Sequence, residues 1–171
     1  NKKLIELLFI SISVNFLSLI IDGYIQYIFG ENLFGINLYN EYRISSFFGS
    51  ELILGSYLAR FFPILFGIFI YLDQIKKNKP KFFIITIIFI LSEGLVFLSG
   101  ERLALFFMNL SAIFIILMIK NYRIYRFWTY IVSLCLIFVL LFFFPNSKDR
   151  LIDQTINDFT RDGDQIYIFS K

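Results

Sequence analysis

Long apolar runs constrain this chain more than any other feature of its sequence. Five candidates, parted by short polar or charged breaks, lie at about residues 4–21, 52–72, 82–99, 103–119 and 127–144. Each is long enough to cross a bilayer core of ~30 Å as a helix, although Glu6 and Asn15 weaken the first. The runs have no polar stripe, and lipid requires backbone groups to be satisfied inside each helix. The sequence therefore predicts an integral membrane protein, an all-α polytopic transmembrane helix bundle of about five spans.

Composition agrees with this class. Hydrophobic residues form 58% of the chain and the mean hydropathy is +0.73, above ordinary soluble domains. Cys135 is the single cysteine, so we expect a buried structural thiol and no disulfide framework. There is no histidine, which removes the commonest general base and metal ligand, and we predict no metal and no cofactor. We expect residues 1–171 to be one transmembrane domain fragment of a longer protein, with no signal peptide before the first span.

Basic residues mark one side of the membrane. They concentrate in the N-terminal segment and in the breaks at 73–81 and 120–126, at Lys2, Lys3, Lys76, Lys77, Lys79, Lys81, Lys120, Arg123 and Arg126. These segments share one side if every run spans once, and excess Lys and Arg marks the cytoplasmic side. We therefore expect a multi-pass membrane protein with a cytoplasmic N-terminus and with its tail at 145–171 on the opposite side. The net charge of +3 is then a topology signal and not a nucleic-acid footprint.

Three polar residues interrupt the apolar runs at depth. Arg60, Glu93 and Asn109 lie roughly 9–13 Å below the outer ends of their helices, at a rise of ~1.5 Å per residue. Polar groups in a membrane usually face a bundle interior or a wet cavity. We expect these three to face the bundle, either as a structural hydrogen bond or ion pair, or as the floor of an outward-facing polar cavity.

Two arginines lie at the predicted outer surface. Arg43 precedes the second run, which we expect to open at Ser50–Glu51, and Arg102 opens the fourth run after Glu101. Both helix N-termini would point outward with free N–H groups, which together with an arginine make a ready anion site. The alternatives are that Glu51 and Glu101 satisfy those helix ends, or that the arginines only reach for lipid headgroups.

The same outer-face residues resemble a known family. The stretches at 42–57 (YRISSFFGSELILGSY) and 98–104 (LSGERLA) look like the two arginine motifs of the O-antigen ligase and O-antigen polymerase family. Residues 22–30 (DGYIQYIFG) are similar to the segment that precedes the first motif. The resemblance runs from about Asp22 to the tail, and the Arg43 motif is the more specific of the two.

The resemblance implies a glycosyltransferase of the bacterial inner membrane, with the tail at 145–171 in the periplasm. Such enzymes move an undecaprenyl-diphosphate-linked glycan onto a lipid A-core or growing glycan acceptor at the periplasmic face. By resemblance, Arg43 and Arg102 contact the carrier pyrophosphate. The chain departs from the ligases in lacking the histidine of their large periplasmic loop. We therefore expect that histidine to lie outside this chain, with the catalytic residue here unknown and the fragment incomplete for activity. The alternatives are an ion-coupled transporter using Arg60 and Glu93, or a non-catalytic polytopic membrane subunit.

Cysteine labelling in intact cells tests the orientation. In a Cys135→Ser background, an impermeant thiol reagent should label cysteines placed at Glu101 and Asp158 but not at Lys77 and Arg123, since the basic segments are predicted to be cytoplasmic. A permeant reagent should label all four positions. Labelling of position 77 from outside would overturn the orientation.

Overall fold

The protein is described by a computed structural model, which covers residues 2–39, 43–76, 80–120 and 123–143. These residues form five α-helices and one short 3-10 helix, with two isolated bridges and no regular strand. The helices are α1 (Lys2–Phe29), α2 (Leu54–Lys76), α3 (Pro80–Ser99), α4 (Arg102–Met118) and α5 (Arg123–Phe143). The all-α prediction is confirmed for the described residues, and the predicted tail at 145–171 lies outside them.

Helix α1 is longer than the sequence predicts. The apolar run ends at Ile21, yet the helix continues through Asp22 and Gln26 to Phe29, where Gly30 at φ 83° breaks it. Its 28 residues correspond to about 42 Å, roughly 12 Å more than a bilayer core. The predicted limit at Ile21 was wrong because Asp22 and Gln26, in the last two turns, are buried against the following segment. In a loop these polar residues would be exposed to solvent.

Helix α3 is the centre of the bundle. It packs against all four of the other helices, whereas α2 packs mainly on α3 and α4. Every residue from 92 to 100 is buried, so the second half of α3 is enclosed on all sides. Aromatic rings fill the contacts between helices, as where the Phe62 and Phe89 rings meet at 4.9 Å between centroids. A charged residue in this half of α3 must therefore lie in the interior of the protein.

The lateral surface of the bundle, formed by the sides of the helices, is apolar. Large hydrophobic side chains are exposed on every helix, among them Phe106 at 60% and Phe142 at 74%. Soluble monomers rarely expose such extensive apolar surface, and lipid tails would cover it. Cys135 lies on this surface, so the prediction that its thiol is buried was wrong.

Three of the helices are long and apolar enough to cross a membrane. They contain the stretches Lys3–Phe29, Leu54–Leu72 and Arg123–Phe142, while α3 and α4 contain shorter apolar stretches, Phe83–Ser99 and Arg102–Met118. At 17 residues α4 is about 25 Å long, slightly less than an average bilayer core. By length and composition these helices are compatible with a membrane protein, and the count of five spans stays a prediction.

Neighbouring residues of α2 provide a matched test of the packing. Leu65 is fully buried whereas Ile64 is 50% exposed on the lateral surface of the bundle. Leu65→Ala should lower the free energy of unfolding by about 2 kcal/mol through the cavity it leaves, near the low end for soluble cores because lipid is as apolar as leucine. Ile64→Ala should change it little. Thermal unfolding in detergent measures both, and equal effects would contradict this packing.

Candidate functional site

The turn between α3 and α4 organises one end of the bundle, the end that the sequence predicts to face outward. Gly100 has φ 70°, a left-handed conformation that favours glycine, and it ends α3. Glu101 follows and turns its carboxylate to the first turn of α2, accepting hydrogen bonds from the Gly55 and Ser56 backbone N–H groups at 2.7 and 2.8 Å. The Ser56 hydroxyl donates to the same carboxylate. Glu101 therefore satisfies the N-terminus of α2 and complements its dipole.

Because of this contact, the N-terminus of α2 is not the open anion site that the sequence predicts at the second run. Helix α2 begins at Leu54 and not at Ser50–Glu51, and Glu101 accepts from two of its N-terminal N–H groups. A bound anion would compete there with a protein carboxylate. A Cβ at position 55 would lie 2.6 Å from Ser99 Oγ and 3.0 Å from Glu101 Oε1, so a larger residue there would force these side chains to shift. The alternative, that a glutamate satisfies this helix end, is the one observed.

Arg43 lies at the end of α3. Its side chain is 6% exposed, and its Nε donates to the Ser99 carbonyl at 3.0 Å. Its backbone forms a bridge with Tyr39, with N–H···O distances of 3.0 and 2.9 Å. The guanidinium thus complements the negative end of the α3 dipole instead of standing at a helix N-terminus.

Arg102 lies on the other side of the same turn. It is half-buried at the first position of α4. Ser99 and Arg102 are three residues apart, so their Cα atoms are within about 11 Å. The side chain of Glu101, the N-cap residue of α4, makes no hydrogen bond to that helix. The structure therefore brings Arg43 and Arg102 to one turn, beside the N-terminus of α4.

Asp22 and Gln26 fix the segment that carries Arg43. Both are fully buried and lie one turn apart on α1. Asp22 accepts hydrogen bonds from the Ser46 hydroxyl at 2.6 Å, the Leu33 N–H at 3.0 Å and the Asn32 amide at 3.2 Å. Asn32 in turn accepts from the N–H groups of residues 34 and 36. A buried carboxylate with three donors is satisfied without a cation.

Gln26 completes this anchoring network. Its Oε1 accepts from the Ser45 and Ser46 N–H groups at 3.0 and 2.7 Å, and its Nε2 donates to carbonyls of residues 36 and 37. Ser45 and Ser46 follow Arg43 closely in the chain, so the network sets where that arginine can lie. Sequence reasoning missed this network, whose only signal is the four-residue spacing of Asp22 and Gln26 directly after an apolar run.

Glu93 faces the bundle, as predicted. It is 0% exposed, and its Oε2 accepts a hydrogen bond from the Ser133 hydroxyl of α5. The Asn109 amide is a second side-chain neighbour of the carboxyl group, while its Nδ2 donates to the Leu105 carbonyl at 2.9 Å. The deep polar group therefore joins three helices, and Ser133 is a member that sequence reasoning missed.

Arg60 does not join this group. Its side chain is exposed, on a face of α2 shared with Ile64, Gly67 and Tyr71. The prediction that Arg60 faces the bundle, or pairs with Glu93, was wrong. The physical reason is that α2 is apolar on both its buried and its outer face, so its pattern does not show which side turns inward.

Two further arginines act at the opposite end of the bundle. Arg126 is 6% exposed and donates to the carbonyls of Ile115 and Ile119, while Arg123 donates to those of residues 116 and 117 at 2.9 and 3.0 Å. The sequence identified both only as topology signals. In the structure they also satisfy the last turn of α4, where cations are favourable.

A small cavity lies between these arginines and the centre of the bundle. Its volume is about 40 Å³ and its lining is almost wholly apolar, including Phe62, Phe89, Ala112 and the edge of Arg126. Arg60, Glu93 and Asn109 are not among its lining residues, so it is not the polar cavity that the sequence suggested. Its size and apolar walls do not suit a diphosphate.

Comparisons with models of known protein families, with characterised proteins and with solved structures find no match for this chain.

The Glu101 contact has a matched control in Glu51, which is exposed. Glu101→Ala should destabilise the protein by about 1–2 kcal/mol and speed amide exchange in the first turn of α2, because it leaves helix N–H groups without partners. Glu51→Ala should do neither. Exchange measured by mass spectrometry distinguishes them, and unchanged exchange at residues 55 and 56 would contradict the capping role.

Proposed function

We propose that the protein is a membrane glycosyltransferase of the O-antigen ligase or polymerase type, acting on an undecaprenyl-diphosphate-linked glycan at the periplasmic face. One observation carries the proposal: Arg43 and Arg102 lie at the same turn, at the outer end of the bundle in the predicted orientation. The resemblance of the two arginine motifs supports the same substrate. The acceptor in this proposal is a lipid A-core or a growing glycan.

The chemistry of the step fits this pair. Glycosyl transfer from a lipid diphosphate increases the negative charge on the leaving pyrophosphate, and positioned donors lower the barrier by stabilising that charge. Arginine is suited to this because its planar fork can hold two phosphate oxygens at once. The N-terminus of α4, which Glu101 does not cap with its side chain, adds a positive dipole end beside them. The base that accepts the acceptor proton is not assigned.

The ion-coupled transporter has less support. A transporter of this kind would use Arg60 and Glu93 as a pair. In the structure, however, Arg60 is exposed on α2 and Glu93 accepts a hydrogen bond from Ser133. A non-catalytic membrane subunit is the function left if the arginines prove dispensable.

Substitution of the two arginines in the full-length protein tests the proposal. Arg43→Ala or Arg102→Ala should lower glycan transfer about 10²–10³-fold, the usual cost of losing one charge-stabilising donor, with normal membrane insertion. Lysine at either position should rescue only part of the activity, since it keeps the charge and loses the fork. Lys120→Ala, an exposed cation at the other end of the bundle, should have no effect.

A second readout separates chemistry from folding, because Arg43 also bonds to Ser99. Binding of undecaprenyl diphosphate to purified protein should weaken in the arginine variants, and the thermal midpoint should fall more in Arg43→Ala than in Arg102→Ala. Normal transfer by both alanine variants at normal expression would refute the proposed pyrophosphate contact.

A further inference from the structure

The Glu93 carboxyl group is a buried acid with no counter-charge among the described residues. Its side chain is 0% exposed, in the half of α3 that is enclosed on all sides. No lysine or arginine of the described residues forms an ion pair with it, and Arg60, the one basic residue in the outer part of α2, is exposed. An ionised carboxylate in such a site is very costly, and buried acids normally take up a proton instead.

The hydrogen bonds around Glu93 show which atom lacks a donor. Ser133 donates to Oε2, but Oε1 has no partner among the described residues. Asn109 Oδ1 is also buried without a partner, whereas its Nδ2 is held by the Leu105 carbonyl. The Asn109 amide lies beside the carboxyl group. Two acceptor oxygens in one small region therefore lack a donor, and buried acceptors are rarely left so.

The other polar groups near the site do not supply that donor. Tyr24 of α1 donates its hydroxyl to the Leu91 carbonyl at 3.0 Å. Tyr130 of α5 lies within electrostatic range of Glu93 without a hydrogen bond to it, and Ser133 is already used on Oε2. From α4 only Asn109 faces the carboxyl group; one N–H of its Nδ2 is donated to the Leu105 carbonyl, and the other does not complete a hydrogen bond to Oε1, which has no partner among the described residues.

We propose that Glu93 is a proton-binding site, occupied at neutral pH, and that its Oε1–H group donates to Asn109 Oδ1. A single proton satisfies both orphan oxygens and removes the buried charge. The carboxylic acid then accepts from Ser133 on α5 and donates to Asn109 on α4, so that it ties α3 to both helices. This inference does not depend on the proposed glycosyl transfer.

Infrared spectroscopy of the full chain in lipid bilayers tests the protonation state directly. At neutral pH the wild-type protein should show the carbonyl stretch of a protonated carboxylic acid, and Glu93→Gln should lose it. The control Glu51→Gln removes an exposed carboxylate and should leave the band unchanged. Asn109→Leu should retain the band and shift it to higher frequency, because the hydrogen bond to the acid is lost.

Stability measurements give an independent readout. Glutamine is neutral, so Glu93→Gln should keep the thermal midpoint near the wild-type value, whereas Glu93→Ala should lower it clearly. If Glu93→Gln does not fold, Ser133→Ala replaces it, since loss of the bond to Oε2 should shift the acid band while Glu51→Gln does not.

Three results would overturn the proposal. The first is a wild-type spectrum with only ionised carboxylate bands, which would mean that a water or another group supplies the missing donor. The second is an acid band that persists in Glu93→Gln. The third is an acid band that forms only when sodium is replaced by a large organic cation, which would make the site a cation site.

Discussion

The ends of the helices, rather than their middles, determine how this bundle is assembled. A helix satisfies its own backbone groups except in its first and last turns, and in an apolar environment those turns must find partners elsewhere. Here the partners are charged side chains from neighbouring segments. Glu101 binds the start of α2, Arg43 the end of α3, and Arg123 with Arg126 the end of α4. In each case the charge opposes the local dipole, so the same contacts position the helices relative to one another.

Two sets of contacts fix the end of the bundle that carries the α3–α4 turn. The α3–α4 turn is held to α2 through Glu101, and the segment before α2 is held to α1 through Asp22 and Gln26. Arg43 connects the two, since its backbone belongs to the segment and its side chain to the turn. Two arginines distant in sequence are therefore held at one turn, partly by the hydrogen bond from Arg43 Nε to the Ser99 carbonyl. Rigid support of this kind is what a site for a charged substrate needs.

Much of the architecture follows from the sequence, because long apolar runs admit few alternatives. All five helices were predictable from these runs, and so was the burial of Glu93, since a charge inside an apolar run usually turns away from lipid. The placement of Arg60 was not, because α2 is apolar on every face. The extension of α1 through Asp22 was also not predictable, since a polar residue after an apolar run indicates a loop unless its buried partners are known. The capping role of Glu101 was one of two alternatives that only the structure could separate.

Arg123 and Arg126, in the first turn of α5, have two distinct roles. In the predicted topology their positive charges mark the cytoplasmic side, a role in which lysine and arginine are interchangeable. As partners of the α4 carbonyls they act through planar groups, each reaching more than one oxygen. Lysine does not present donors in that geometry. Exchanging Arg126 for lysine would thus keep the charge on which the predicted topology rests while weakening the contact between α4 and α5, so topology and packing place separate demands on a single residue.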